Sequence, residues 1–174
     1  MDLTLNDEQE ALRTATADWC RDNMALEDAR SRAPGLWAEL EAMAWTGMTA
    51  PGMDLDHATE AVVFSELARS IAPIGLLSTA AANRWFAAGF AGKAALALPA
   101  NEPGDMRVLD PGGSAAVLMW QADKLCLFVT PDDAPHAPTI DLSTDQCRRS
   151  RTVPVQNDDT AAPLHLQLLA AAYA

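Results

Sequence analysis

Glu66 stands among apolar neighbours, in the run Val62-Val63-Phe64-Ser65-Glu66-Leu67. A carboxylate there needs a partner and can carry a shifted pKa, one mark of a functional acid or base. Pairing with a nearby arginine, Arg69 or Arg84, or plain exposure to solvent explains it without catalysis, and that is the expectation adopted. Arg148, Arg149 and Arg151 form the one dense basic cluster of an acidic chain. Arginine donates bidentate hydrogen bonds to phosphate, so Arg148 and Arg149 are candidate contacts to a phosphate or pyrophosphate. They could equally pair with Asp141, Asp145, Asp158 and Asp159. Of the five tryptophans, at 19, 37, 45, 85 and 120, Trp120 ends a strand where its ring could lie against a flat ligand. Core packing is the expectation for all of them.

Other chemistries lack their residues. His57, His136 and His165 lie far apart, and none stands at ligand spacing from another histidine or a cysteine, so no metal site is expected. Ser65 and Ser78 fall in helical patterns and not in a Gly-x-Ser-x-Gly elbow. Gly112-Gly113 precedes a strand rather than a helix, which makes it a turn and not a phosphate-cradling loop. No catalytic residue can be assigned on these grounds. The three cysteines, Cys20, Cys126 and Cys147, are odd in number and widely spaced, which suits free thiols in a reducing cytoplasm.

The elements that must position these groups are helical first and β-rich second. Asn6 is a good N-cap with acidic residues in the following turn, and Leu5, Leu12, Trp19 and Leu26 recur every seven residues along one stripe. A second helix after Pro34 is expected to send Leu36, Leu40, Met43 and Met48 to the core. Asp56 caps a third, whose apolar face comprises Val62, Val63, Phe64, Leu67 and Ile71. A fourth runs from about Ile74 to Gly89, with Leu77, Ala81 and Trp85 on one face at i, i+4, i+8. From Lys93 onward short apolar runs replace helical periodicity. Strands are expected at Ala94–Leu98, Ser114–Gln121, Lys124–Thr130 and Arg151–Val155, the second and third joined as a hairpin through Ala122-Asp123. Leu125, Leu127 and Val129 point one way and Cys126 and Phe128 the other, so both faces should be covered. Asp158, Asp159 and Thr160 offer caps for a last helix carrying Leu164, Leu166, Leu168 and Leu169. That helix stops in mid-pattern, as though a larger helical domain followed or were supplied elsewhere. The expected fold is α+β: an N-terminal helical bundle over residues 1–92, a small antiparallel β-domain over 93–157, and the start of a C-terminal helix over 158–174.

A formal net charge of −12 over 174 residues makes nucleic acid or an anionic membrane surface an unfavourable partner. No signal peptide opens the sequence, and no apolar run approaches the roughly 20 residues of a membrane span. A cytoplasmic location is expected.

The order of these features resembles the acyl-CoA dehydrogenase family. Leu5-Asn6-Asp7-Glu8-Gln9-Glu10-Ala11-Leu12-Arg13 is similar to the family's opening, Leu36 to Gly47 follows in place, and Ala58 to Arg69 resembles its third-helix pattern. The resemblance implies a helical domain, a middle β-domain and a four-helix domain assembled as dimers or tetramers around FAD. It implies removal of two hydrogens from an acyl-CoA thioester, a lipid-metabolic oxidoreductase activity. It also points to the fourth helix, through Leu77, Ala81 and Trp85, as the wall against the acyl chain. The middle domain is short, and the flavin-contacting segments of the family lack a good counterpart, Asn101-Glu102-Pro103-Gly104-Asp105 echoing one weakly. The shortened form resembles the non-catalytic subunit of heteromeric acyl-CoA dehydrogenases of actinobacteria. That resemblance implies a truncated or component chain, non-catalytic by itself, partnered in a homo- or hetero-oligomer with a catalytic subunit, with FAD binding by this chain alone doubtful. The alternatives are a self-associating flavoenzyme and a helical interaction or scaffold protein without acyl-CoA activity.

Overall fold

The computed structural model describes residues 4–86, 90–102, 104–121, 123–129, 136–137, 146–150, 154, 156–158 and 161–173. Helix α1 spans Asp7–Asn23 and opens on a reciprocal cap: the Asn6 side chain accepts from the Gln9 amide at 2.8 Å, and the Gln9 side chain accepts from the Asn6 amide at 3.2 Å. Only the middle of the seven-residue stripe meets the core, where Leu12 and Trp19 pack against it. Leu5 and Leu26 lie outside the helix, Leu26 is exposed, and Thr16, Cys20 and Met24 face the core. Heptad spacing aligns side chains only where the chain is helical throughout.

Helix α2 (Leu36–Ala42) buries Leu36 and Leu40. It ends too early to carry Met43 inward, and Met43 is exposed while Trp45 and Met48 are buried. Helix α3 (His57–Arg69) starts at Asp56, whose carboxylate accepts from the Thr59 amide at 2.7 Å, a bond that also lowers the Asp56 pKa. Val63, Phe64 and Leu67 are fully buried on it. Ile71, expected on the same face, falls beyond the last turn in the left-handed region (φ 52°) and is exposed. Glu66 is buried and pairs with Arg69 at 2.5 Å, as the arginine reading expects.

Helix α4 (Gly75–Trp85) is buried from Gly75 to Ala82, and small residues let it lie directly on a sheet. Its hydroxyls fasten it there: Ser78 donates to the Ala94 carbonyl at 2.7 Å, and Thr79 accepts from the Ala94 amide at 2.9 Å while donating to the Gly75 carbonyl at 2.7 Å. Both buried hydroxyls are therefore satisfied.

Seven strands form one sheet among the described residues: β1 (Lys93–Pro99), β2 (Asp105–Leu109), β3 (Ser114–Gln121), β4 (Lys124–Val129), β5 (His136–Ala137), β6 (Gln146–Ser150) and β7 (Gln156–Asp158), in the order β5-β6-β2-β1-β3-β4-β7. The expected antiparallel arrangement holds for every described pairing but one, since β3 runs parallel to β1. β2 folds back on β1, and the turn through Asp110 to Gly113 reverses the chain again. β3 is thereby delivered to the far side of β1 in β1's own direction. β2 and β6 are strands that a search for apolar runs did not reveal, because Arg107 separates Met106 from Val108 and Arg148 and Arg149 follow Cys147. The expected strand Arg151–Val155, the loop 131–138 apart from 136–137, the end of the fourth helix near Gly89, Ala122 of the hairpin turn and the caps Asp159 and Thr160 lie outside the described residues.

The sheet is apolar on both faces. Leu118, Leu125 and Leu127 join the helical core, whereas Val117, Met119, Cys126, Phe128 and Cys147 build a second one on the opposite face. This is the split expected for Leu125 and Leu127 against Cys126 and Phe128. All three cysteines are free and buried.

Helix α5 (Ala162–Tyr173) lies across α3, α4 and the edge of β4. Its end is pinned by the Tyr173 hydroxyl, which donates to the Ala72 carbonyl. Burial, reinforced by the negative charge of Asp110, pushes the Tyr173 pKa well above its ordinary value. A group whose folded pKa is raised contributes stability below the unfolded value, about 10 for tyrosine, and loses it as pH rises further. Tyr173 is the chain's one tyrosine, so tyrosinate absorbance reports it alone. We expect no tyrosinate band at about pH 10, with the band appearing only together with loss of helical circular dichroism. Free titration in the folded protein would contradict the pinning.

Candidate functional site

The sheet face toward the helices is not fully covered. Between α4, α5, β1 and β3 it opens into a groove of about 420 Å³ with walls supplied by Leu77, Leu96, Leu98, Trp120, Leu166 and Ala170. Among the described lining residues Gln167 carries the one side-chain amide. Leu98 and Trp120 remain 37% and 39% exposed there, so the expectation that Trp120 packs in the core is not met. Trp120 lies next to the end of β3, and its ring is left on the rim of the groove. An aliphatic chain laid in such a groove gains about 0.8 kcal/mol per methylene removed from water.

The sequence-derived wall separates into three environments. Leu77 lines the groove. Ala81, one turn on, is fully buried in the helical core, and Trp85 turns to a polar cluster behind α5. Helical spacing aligned the three, but the groove reaches only the first, and Trp85 meets α5 through His165 instead.

The polar cluster holds the groove wall in place. Glu60 is fully buried, and its carboxylate receives the Thr49 hydroxyl at 3.2 Å and the Nε2 of His165, on α5, at 2.5 Å. The Nδ1 of His57 lies 3.5 Å away. The Trp85 indole N–H donates to the Nδ1 of His165 at 3.0 Å. His165 thus accepts at Nδ1 and donates at Nε2, which assigns it the neutral ring with its proton on Nε2. His57, Glu60 and His165 offer ligand atoms within 4.8 Å of one another, spacing that would suit a cation. The proton pattern does not suit one. A metal at Nε2 would require a proton on Nδ1, facing the Trp85 N–H, so the cluster is a hydrogen-bonded lock between α3, α4 and α5. Sequence spacing concealed it, because His165 reaches the others only through tertiary packing.

A second, polar cavity of about 260 Å³ continues from the groove, with Pro99 lining both. Arg107 and Arg148 border it. Arg148 is held by Asp105 at 2.7 Å and by Glu102, so its acidic partners are residues of the β1–β2 turn. The alternatives Asp141, Asp145 and Asp159 lie outside the described residues. Arg149 stands opposite Met106, on the other face of the sheet, with its Nε 3.4 Å from the Cys147 sulfur. The two candidate phosphate contacts therefore do not act together. Arg107, which sequence reading passed over, shares the face of Arg148.

The helical layer decides the kinship: residues 6–91 match the acyl-CoA dehydrogenase N-terminal domain. Through its helical half, the chain belongs to the acyl-CoA dehydrogenase family. No curated protein matches it. Among solved structures, a prolyl acyl carrier protein oxidase, AnaB, superposes with a TM-score of 0.57 at 11% identity, covering 98% of this chain and 67% of the other. An FAD-dependent dehydrogenase superposes with a TM-score of 0.52 at 14% identity, covering 99% and 62% respectively. At such identities the likeness is one of fold, and the chain spans about two thirds or less of the length of these two proteins. No described helix is long and apolar enough to cross a membrane.

FAD is the cofactor the family implies, and the groove can be tested for it. Trp120 offers a flat face, but a flavin also carries a polar ring edge, whose burial without partners costs several kcal/mol. Gln167 is the one side-chain amide present, and the carboxylates of the Asn101–Asp105 turn are engaged by Arg148. The described residues do not by themselves fit FAD, and they support no chemical step through it.

Proposed function

We propose that this chain is a component of an acyl-CoA dehydrogenase assembly, holding an acyl group in the groove between α4, α5 and the sheet. The flavin and the proton-abstracting carboxylate come from a catalytic partner, in a homo- or hetero-oligomer. The observation that carries this reading is a groove suited to an alkyl chain, with no acid or base among the described residues of its wall. The nearby buried carboxylates are engaged, Glu60 by Thr49 and His165, and Glu66 by Arg69. An acyl chain is therefore bound and oriented here, while its α-proton finds no acceptor on this surface.

The protein purified alone is expected to be colourless and inactive in dye reduction with acyl-CoA. Saturating decanoyl-CoA should nevertheless raise its melting temperature, since ligand at 100 times Kd stabilises by about 2.7 kcal/mol. Co-expression with a flavin-bearing acyl-CoA dehydrogenase subunit should yield a complex on gel filtration. Stoichiometric flavin with dye reduction by the chain alone would instead establish a self-sufficient flavoenzyme. A second reading, an interaction or scaffold protein without acyl-CoA binding, draws on Leu164 and Leu168, which are 66% and 38% exposed on the outer side of α5. Absence of stabilisation by acyl-CoA, with partner binding retained, would select it.

A further inference from the structure

One guanidinium on the groove face, that of Arg107, has neither an ion pair nor a hydrogen bond among the described residues. The register of the sheet puts it in a row. Leu98 on β1 stands opposite Arg107 on β2, and Arg107 stands opposite Arg148 on β6. On the other side of β1 the parallel register of Leu96 with Leu118 and Ala97 with Met119 brings Trp120 level with Leu98. Trp120, Leu98, Arg107 and Arg148 therefore lie side by side on four adjacent strands, a row roughly 14 Å long at about 4.8 Å per strand. One half of the row is the apolar rim of the groove, and the other half borders the polar cavity. Like charges directly opposite each other in a sheet are destabilising. Asp105 and Glu102 both pair with Arg148. The charge of Arg107 stays open, in a chain whose net charge is −12.

We propose that Arg107, with Arg148 beside it, receives the phosphate of a pantetheine-type carrier whose acyl group occupies the groove. This rests on the acyl reading above and adds the group that recognises the carrier. The Arg107 fork can donate two parallel N–H bonds to phosphate oxygens, and the added anion relieves the repulsion across β2 and β6. Glu102 is 70% exposed, so its pair with Arg148 is a surface pair that an arriving phosphate can displace.

The test is calorimetric titration of the protein with decanoyl-CoA, decanoyl-phosphopantetheine, decanoate and FAD, repeated with Arg107→Gln and Arg107→Lys. Arg107 is exposed, and removing it relieves a like-charge contact, so the melting temperature of Arg107→Gln should match or exceed that of the wild type. Decanoyl-CoA should bind more tightly than decanoate and lose affinity as salt rises. Arg107→Gln should weaken decanoyl-CoA about tenfold and leave decanoate unchanged, with part of the loss restored in Arg107→Lys, which keeps the charge without the fork. The same loss with decanoyl-phosphopantetheine assigns the arginine to the phosphate that both esters carry. A loss confined to decanoyl-CoA moves the contact to the nucleotide and overturns the assignment. Equal binding of decanoyl-CoA and decanoate, unmoved by Arg107→Gln, leaves the groove reading standing and overturns the phosphate site. Failure of the wild type to bind any acyl compound overturns both, as does Arg107-dependent binding of FAD in their place.

Discussion

Replacing Glu60 by alanine is expected to lower the unfolding free energy by about 3–5 kcal/mol, the range for removing one member of a buried polar pair. The loss has identifiable parts. The Thr49 hydroxyl and the Nε2–H of His165 lose their shared acceptor, and both residues are at most 3% exposed, so water cannot replace it. The void left by the side chain adds a cavity cost. Glu60→Gln should cost less, about 1–3 kcal/mol, because one amide oxygen still accepts while the new N–H₂ meets donors. Because His165 is the polar anchor of α5, the alanine variant should expose α5 to protease before the remainder unfolds. It should also lose decanoyl-CoA binding, since Leu166 and Ala170 on the same helix form the groove wall. Urea denaturation, limited proteolysis and calorimetry would report these effects. A variant within about 1 kcal/mol of wild type would show that the lock contributes no more than an ordinary hydrogen bond.

Asp110→Ala is expected to be nearly as damaging, at about 3–5 kcal/mol. The Asp110 carboxylate meets the Lys93 ammonium at 2.6 Å and accepts from the Gly75 amide at 3.2 Å, joining β1, the β2–β3 turn and the start of α4. The Lys93 side chain is 11% exposed, so without Asp110 it keeps only the Gly112 carbonyl at 3.0 Å and the face of Trp37 at 5.0 Å. Asp110 also has φ 53°, a conformation that aspartate tolerates better than alanine. Asp110→Asn separates these contributions, retaining the left-handed preference and an acceptor for Gly75 while losing the charge. It should fall between wild type and the alanine variant in chemical denaturation. Equal losses in the two variants would assign the whole effect to the ion pair.

Much of the fold was legible because its determinants are local. Asn6 and Asp56 were readable as caps, since a cap needs a side-chain oxygen and an amide three residues on. Strands β1, β3 and β4 and the inward and outward alternation of β4 were readable from a period of two, and α5 from its leucines. Met43 and Ile71 were misplaced for a single reason: periodicity was carried past the residue at which each helix stops. Strands β2 and β6 escaped because each is only five residues long and neither contains an apolar run: β2 has buried Met106 and Val108 on either side of Arg107, and β6 offers Cys147 among polar neighbours.

The sequence by itself determined that helices come first and a sheet second, and that the helical half resembles the acyl-CoA dehydrogenases; it left Glu66 between an arginine partner and solvent, and the fold gave it Arg69. The tertiary structure alone decided the site. The groove exists because α5 packs on α3 and α4 and, with α4, faces β1 and β3, and its far rim is basic because strand register sets Arg107 beside Arg148. Glu60 and His165 form a lock only because two remote helices pack face to face. Caps, periodicity and ion pairs within a helix act over one or two turns, which a linear pattern records. Grooves and cross-strand rows depend on which distant segments share a face, and that is fixed by the burial of the whole chain.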